Sequence, residues 1–522
     1  MFKNLSRVIG WLLLSGAVCA SACAATLTVG QPNGPCPNAQ YTTIGAAISA
    51  ANSGDVIQIC PAVYPEQLSI TTPLTLQGIS TTVNGLPVNR VLIQPTLQVL
   101  PGIPSPAVIS VGNTQGVTIE NVAIDASHNT VSGCGSILAG IHFFNASGTI
   151  RNNAIFGAQL ANPKSCYNSQ APISDNGIGV FINNGSAISS SSPNSGSTGP
   201  SQVTVENNSI HDFTSYGVWV AGTGITATVE GNTISGVGPS TGVFQFGVVI
   251  ANGAVGQINS NVITEGLCGS LAILDCYNTR SEGVVLRLPG DGTVVNGNTI
   301  SNVQSGIFLN GGNNASITNN QIQNVQALSG MDIAGFTNSQ ITGNTISNVG
   351  PIDQNASNDE EGCGINEYSG SGLSGNTISN NTVSDAYCGV AAVQADHIQS
   401  GMYFNTLYTQ LDSDLYPCAY PPAGEPVALL VIGPGGAISI TNTFQTASNQ
   451  ITLDASQSIS SNPGTLTFSW APSPGFPSAA IISANTARPT FQLPSRGKYQ
   501  FTLMVMDATG AKATTTVTVQ YI

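Results

Sequence analysis

Charged side chains make up only 7% of this 522-residue chain, so the few that recur at a common interval stand out. Arg287, Asn310 and Asp332 follow one another at steps of 23 and 22 residues. If the chain repeats with that period as stacked strands, they line one groove at a rise of about 4.8 Å per step. A glycosidic bond is cleaved between two facing carboxylates about 5 Å apart, or about 6.5–9.5 Å apart when a water intervenes, and Asp332 with Glu361 or Glu367 is the pair available. β-Elimination from a uronate needs a cation or metal to neutralise the sugar carboxylate, and a base for the proton beside it. Arg287 is the cation at hand, and it serves as the base only if its pKa is lowered very far. The catalytic candidates are therefore Asp332, Arg287 and Glu361; a plain Asp332–Arg287 ion pair with no catalytic role is the preferred alternative, because structural pairs perturb residues too.

Two further sets carry other chemistry. The acidic run Asp353, Asp359, Glu360, Glu361 and Glu367 contains three successive loop carboxylates, Asp359, Glu360 and Glu361, that can offer oxygens to Ca2+. Such an ion takes about six to eight oxygen ligands. With no spaced DxDxDG loop in the sequence, a solvated acidic loop is the preferred reading. The last set suits a sugar chain, whose CH faces stack on rings and whose hydroxyls need amides and carboxylates: His142, Trp219, Phe308 and Tyr403 with Asn310, Asn366 and Glu367. The competing expectation is that insertions cover these aromatics. No set demands a cofactor, Ca2+ aside.

The element that must position these residues is the stretch Gly297–Val349, in which one unit is written nearly three times. Asn298, Asn320 and Asn344 recur at 22 and 24 residues, each followed two positions later by Ile. Alternating runs such as Gly306-Ile307-Phe308-Leu309-Asn310 mark short strands with one buried face. A period in the range of about 20 to 50 residues marks a stacked solenoid, and the Ile, Val, Thr, Asn, Gly and Ser content excludes a helical one. Identical Asn side chains at a turn can hydrogen-bond up and down such a stack. The Asn series extends to Asn153, Asn208, Asn232 and Asn261 before the core stretch and to Asn381 and Asn405 after it. Counting each strand as Gly-in-out-in-out puts His142, Trp219, Phe308, Asp332 and Tyr403 in a first outward column. A second outward column then holds Phe144, Phe181, Arg287, Asn310 and Asn366.

Residues 1–24 carry Lys3 and Arg7, an apolar run from Val8 to Leu14 and Ala22-Cys23-Ala24, the pattern of an export signal cleaved after Ala24. Lipidation at Cys23 is the second reading, weakened by Ala20 where Leu is expected. No later segment has the ~18 apolar residues of a membrane span. The formal charge of −14 becomes −16 without Lys3 and Arg7, which disfavours nucleic acid or an anionic membrane as partner. In an exported chain, cysteines close in sequence pair as Cys36–Cys60, Cys134–Cys166, Cys268–Cys276 and Cys363–Cys388; Cys418 is left over and competes for the last pairing. Ile44, Ala47, Ile48 and Ala51 form the apolar face of a short helix ending near Ser53-Gly54, placed to cap the open end of the solenoid. The Pro-rich segment 413–424 ends the repeat. From 425 to 522 longer alternating strands, one bearing Trp470, indicate an immunoglobulin-like sandwich.

The Asn-ladder coils and the N-terminal pattern TTIGAAISAANSGDVIQI resemble the right-handed parallel β-helix proteins of the pectin-lyase-like superfamily over residues 25–412. In that pattern Tyr64 and Glu66 read as structural. Leu453-Asp454-Ala455-Ser456 and Val505-Met506-Asp507-Ala508 resemble PKD modules of bacterial surface and secreted proteins, which are usually spacers or contacts. The resemblance implies an all-β chain but no single reaction, since the superfamily holds lyases, esterases, hydrolases and epimerases. The paired-aspartate words of pectin methylesterases, the NTD, DD, GHG and RIK words of polygalacturonases and the DPH word of alginate epimerases are absent from the sequence. The expectation is a secreted or surface-displayed protein that meets a polysaccharide or cell-surface glycan, with binding favoured over lyase or hydrolase chemistry and a structural or adhesion role as a further alternative.

Overall fold

The computed structural model describes residues 24–83, 86–88, 91–95, 107–128, 137–159, 177–184, 200–238, 244–267, 281–325, 329–349, 363–367, 375–386, 388–391, 397–398, 403–406, 443–453, 455 and 465–522. Short strands wind into three parallel sheets of 13, 12 and 11 strands, here sheets 1, 2 and 3. One coil runs from Val294–Asn296 in sheet 1 through Thr299–Val303 in sheet 2 to Ser305–Asn313 in sheet 3, and Ser316–Thr318 then re-enters sheet 1.

Successive coils align like on like. Val295, Ile317 and Ile341 are register partners in sheet 1, Ile300, Ile322 and Ile346 in sheet 2, and Leu309 and Ile333 in sheet 3. All lie in one continuous buried core. Complete burial of each such side chain contributes roughly 1.5–3 kcal/mol, which no single coil can collect alone. The turn from sheet 1 to sheet 2 needs a left-handed residue: Gly297, Asn319 and Gly343 have φ of 65°, 55° and 69°, each directly before a ladder Asn. Gly and Asn tolerate that conformation, which explains the recurring Gly-Asn and Asn-Asn words.

The Asn ladder forms as expected from Asn153 through Asn208, Asn232, Asn261, Asn298, Asn320 and Asn344 to Asn381, each amide donating to the next Oδ1 at 2.9–3.1 Å. Asn405 does not belong to it. That residue is the register partner of Ser384 inside sheet 2, so it sits in a strand and not at the turn.

Helix α1 (Ile44–Ala50) packs beside the first strands and stops short of the expected Ser53-Gly54. Thr43 caps its first turn, and both oxygens of Glu66 accept N–H groups, from Ile44 and Gly45, each at 2.8 Å. Tyr64 is buried with its hydroxyl donating to the Cys60 carbonyl at 2.7 Å. Burial and the nearby Glu66 carboxylate push that phenol up to about 12. Both residues are structural, as the sequence indicates. Cys36 and Cys60 form a disulfide. Cys363 and Cys388 are register partners on neighbouring strands of sheet 3. Cys134, Cys166, Cys268, Cys276 and Cys418 lie outside the described residues, as does the 413–424 segment.

The C-terminal strands make a sandwich. Thr467–Pro472, Gly497–Met506, Lys512–Tyr521 and Thr443–Thr446 form one sheet, and Gln450–Thr452, Thr490–Gln492 and Ala480–Ile482 form the other. Trp470 is buried edge-on to Phe491, and its indole N–H donates to the Thr486 carbonyl at 3.1 Å.

Candidate functional site

Sheet 3 differs from the other two in what it does with its outer face. Outward residues of sheets 1 and 2, such as Thr204, Thr228, Thr318, Ser301 and Gln323, are partly or fully exposed. On sheet 3 they are mostly buried and form a second apolar cluster, separate from the core, around Phe181, Tyr216, Trp219 and Phe246. The aromatic column is therefore on the outer face as expected, yet covered: Trp219 is 5% exposed and His142 1%.

The strand geometry shifts the columns from strict alternation. In the strands from Ala139–Phe144 to Ser305–Asn313 a Gly and the residue after it both lie on the core side. A Cβ on Gly283 would meet Ile300 Cγ2 at 2.5 Å and one on Gly306 would meet Ile322 Cγ2 at 2.6 Å, so the corner between sheets 2 and 3 admits no side chain there. The residue before the Gly consequently faces outward. One outer column runs Ala107, Ala139, Ile178, Tyr216, Phe246, Glu282, Ser305. The next runs Ser110, His142, Phe181, Trp219, Val249, Val285, Phe308, Asp332, Asn366. The third includes Phe144, Asn183, Ala221, Ala251, Arg287, Asn310 and Ala334.

Several expectations change as a result. Phe181 and Asn366 belong to the His142–Asp332 column, because alternation counted from the Gly slips in those coils. Tyr403 is not on this face at all: it pairs with Thr382 in sheet 2. Glu367 is the register partner of core residue Ile333, is buried, and accepts from Asn376 Nδ2 at 2.9 Å, so it stands outside the three outer columns. Asp332 and Arg287 do not pair. They stand in different columns two coils apart, and Asp332 is held instead by the Ser305 hydroxyl, which donates to Oδ2 at 2.9 Å. Asp359, Glu360 and Glu361 lie outside the described residues; among the described residues no group of three potential metal ligands converges.

What remains divides into two halves. The aromatic half stacks from coil to coil, His142 on Phe181 at 4.7 Å, Phe181 on Trp219 at 4.8 Å and Tyr216 on Phe246 at 5.4 Å between ring centroids, with Trp219 and Tyr216 of one strand joining the two columns at 4.7 Å. His142 shares a 2.9 Å hydrogen bond between Nε2 and Asn183 Oδ1, and burial pulls its pKa down to about 4 although that bond opposes the shift. The polar half places Glu282 and Ser305 side by side in register, with Asp332 bonded to Ser305 and Asn366 beside Asp332. Arg287 and Asn310 form a partly exposed edge, with Phe308 partly buried between the halves. Glu282 and Ser305 were invisible to alternation counting; their signal in the sequence is the position directly before each strand Gly.

A family model described as a right handed beta helix region matches residues 282–405, and one described as a PKD domain matches residues 441–520. None of the curated proteins matches the chain. Among solved structures, the mannuronan C-5 epimerase AlgE4 A-module of Azotobacter vinelandii is 14% identical over 68% of this chain and 95% of its own, with a TM-score of 0.38. An alginate lyase from Paenibacillus sp. is 14% identical over 73% of this chain and 99% of its own, at 0.34. A nucleoside hydrolase-related protein from Saccharophagus degradans is 20% identical over 19% of this chain, at 0.17, and the chain spans only 26% of its length. Likeness at this level carries no reaction or substrate across. With the parallel three-sheet coil, the Asn ladder and the C-terminal sandwich, the two family models place the chain: it is a right-handed parallel β-helix repeat protein that ends in a PKD-type, immunoglobulin-like domain.

Proposed function

We propose that the outer face of sheet 3 binds an extracellular glycan along its partly exposed edge of Arg287, Asn310 and Phe308, with the buried ring stack and the Glu282–Ser305–Asp332–Asn366 cluster as the packed support behind that edge. The observation that carries this reading is a partly exposed edge of Arg287, Asn310 and Phe308 on the one outward face where rings, amides and carboxylates gather beside an apolar cluster separate from the core. Rings offer surface to sugar CH groups, and carboxylates and amides fix hydroxyls. Two carboxylates, a chain charge of −14 and Arg287 as the one cation among the described residues of the face favour a neutral glycan over a polyuronate. A polyuronate would need Ca2+ to bridge it, and the Asp359–Glu361 run is where this reading looks for such an ion. The N-terminal 24 residues supply export to the extracellular space or cell surface. No helix among the described residues is long and apolar enough to cross a membrane.

The second reading is an enzyme, a glycoside hydrolase or lyase, in which Asp332 acts with Glu361 or Arg287. Its support is Asp332 itself, an outward carboxylate 2% exposed and oriented by a hydroxyl. One experiment separates the two. The mature protein is offered to neutral glycans and to alginate and polygalacturonate, with and without Ca2+, and scored for retention and for new reducing ends or unsaturated products. Retention without products supports a binding face; products assign an enzyme; neither, with every glycan, refutes the proposal. Asn310→Ala, at the partly exposed edge, is expected to keep the wild-type unfolding midpoint within about 2 °C and to weaken retention, whereas Asp332→Ala, which removes the acceptor of the buried Ser305 hydroxyl, is expected to lower the midpoint.

A further inference from the structure

Where sheet 3 turns back toward sheet 1, several coils pass through the left-handed region, and the residues there are those that tolerate it: Asn113, Asn145, Asn252, Gly311 and Gly335, with φ of 51°, 48°, 54°, 63° and 70°. Leu288 occupies the same register position between Asn252 and Gly311, with φ of 47°. A branched apolar residue is strained in that conformation, where Asn or Gly is not. Nor is the strain offset by burial, since Leu288 is 56% exposed, the most exposed of the large hydrophobic residues among the described ones. Its N–H donates to the Asn310 carbonyl at 2.8 Å and its carbonyl accepts from Gly253 at 2.8 Å, so the backbone is held in place by the ladder. The side chain leans over Gly311, where a Cβ would meet its Cδ2 at 2.8 Å. It therefore projects at the lip of sheet 3, next to Arg287 and one coil from Asn310.

Resting on the reading of sheet 3 as a glycan-binding face, we infer that Leu288 is an apolar contact of that site. It packs against the CH face of a sugar ring laid across the lip, while Arg287 and Asn310 hydrogen-bond the ring's hydroxyls. Strain and exposure in one residue, at a position where five other coils carry Asn or Gly, fit a side chain retained for what it touches and not for the stability of its own turn.

The test is affinity electrophoresis of the mature protein against xyloglucan, galactomannan, mixed-linkage β-glucan and dextran, with the variants Leu288→Asn and Leu288→Gly. Both should unfold at or above the wild-type temperature, because each restores a residue suited to the turn, and both should be retarded about tenfold more weakly by whichever glycan retards the wild type. If the wild type is retarded and the variants equally so, the inference falls and the binding face stands. Should no glycan retard the wild type, both fall. A lower unfolding temperature in both variants would make Leu288 a packing residue. A mass change by light scattering, with retention intact, would make it a contact between copies of the chain; either result overturns the inference.

Discussion

Replacing Asn320 with Leu tests the ladder on which the coil depends. Asn320 is fully buried and makes four side-chain hydrogen bonds. Its Oδ1 accepts from the backbone N–H and the amide of Asn298 at 3.0 and 2.9 Å, and its Nδ2 donates to the Val295 carbonyl and to Asn344 Oδ1, each at 2.9 Å. Leucine has the same branched skeleton with bulkier ends and none of these polar atoms. The two donors of Asn298 lose an acceptor in a site closed to water, whereas Asn344 Oδ1 still receives the Asn320 backbone N–H at 2.9 Å. Orphaned buried groups cost about 1–3 kcal/mol each, so the loss for these two donors is roughly 2–6 kcal/mol. Burying the Leu side chain returns roughly 1–2 kcal/mol, which leaves a net destabilisation of about 3 kcal/mol. At an unfolding entropy of about 2 cal/mol/K per residue, a cooperative solenoid of roughly 350 residues loses about 4 °C of midpoint. Calorimetry of the mature protein reads this directly. Asn153→Leu is the comparison: it opens the ladder and its Oδ1 accepts from Val122 alone among the ladder-side donors, so its shift should be smaller. A midpoint for Asn320→Leu within about 1 °C of wild type would refute the claim that the amide ladder is a buried, stabilising element.

The remaining predictions concern single groups. His142 is buried with its pKa lowered from 6.5 to about 4, so the unfolded chain binds a proton that the folded chain refuses between those values. Its contribution to stability is complete above pH 6.5 and is lost as pH falls toward 4, by up to about 3 kcal/mol. Between pH 7.5 and 4.5 the wild type should therefore lose more urea stability than His142→Phe; equal losses would remove His142 from the acid limb. Glu66→Ala removes the acceptor of two helix N–H groups and is expected to cost about 1–2 kcal/mol by denaturant unfolding, an effect absent if the helix end frays in the wild type.

Much of the architecture is legible in the residue string because it is built from local, repeated rules. Asn320 two residues before Ile322, Gly297 or Asn319 before a ladder Asn, and Ile44-Ala47-Ile48 on one helix face each state a backbone requirement within a few positions. Glu66 and Tyr64 are readable as structural for the same reason. The outer face of sheet 3 is another matter. Whether Trp219 meets water or other side chains depends on chain segments far away in sequence, and only the folded molecule shows it buried. The columns depend on a corner where Ile300 and Ile322 press on Gly283 and Gly306, so two successive residues face the core and the residue before each Gly turns outward. That steric contact lies between different sheets and leaves no mark in alternation; it displaced Phe181 and Asn366, hid Glu282 and Ser305, and put Glu367 at a core position. The sequence by itself thus determined the coil, its period and its polar ladder, because those arise from neighbours along the chain and from identical positions one coil away. Which carboxylates share a face, and that Asp332 binds Ser305 and not Arg287, was decided by tertiary packing, because side-chain pairing between coils is set by register and corner sterics that no single repeat contains.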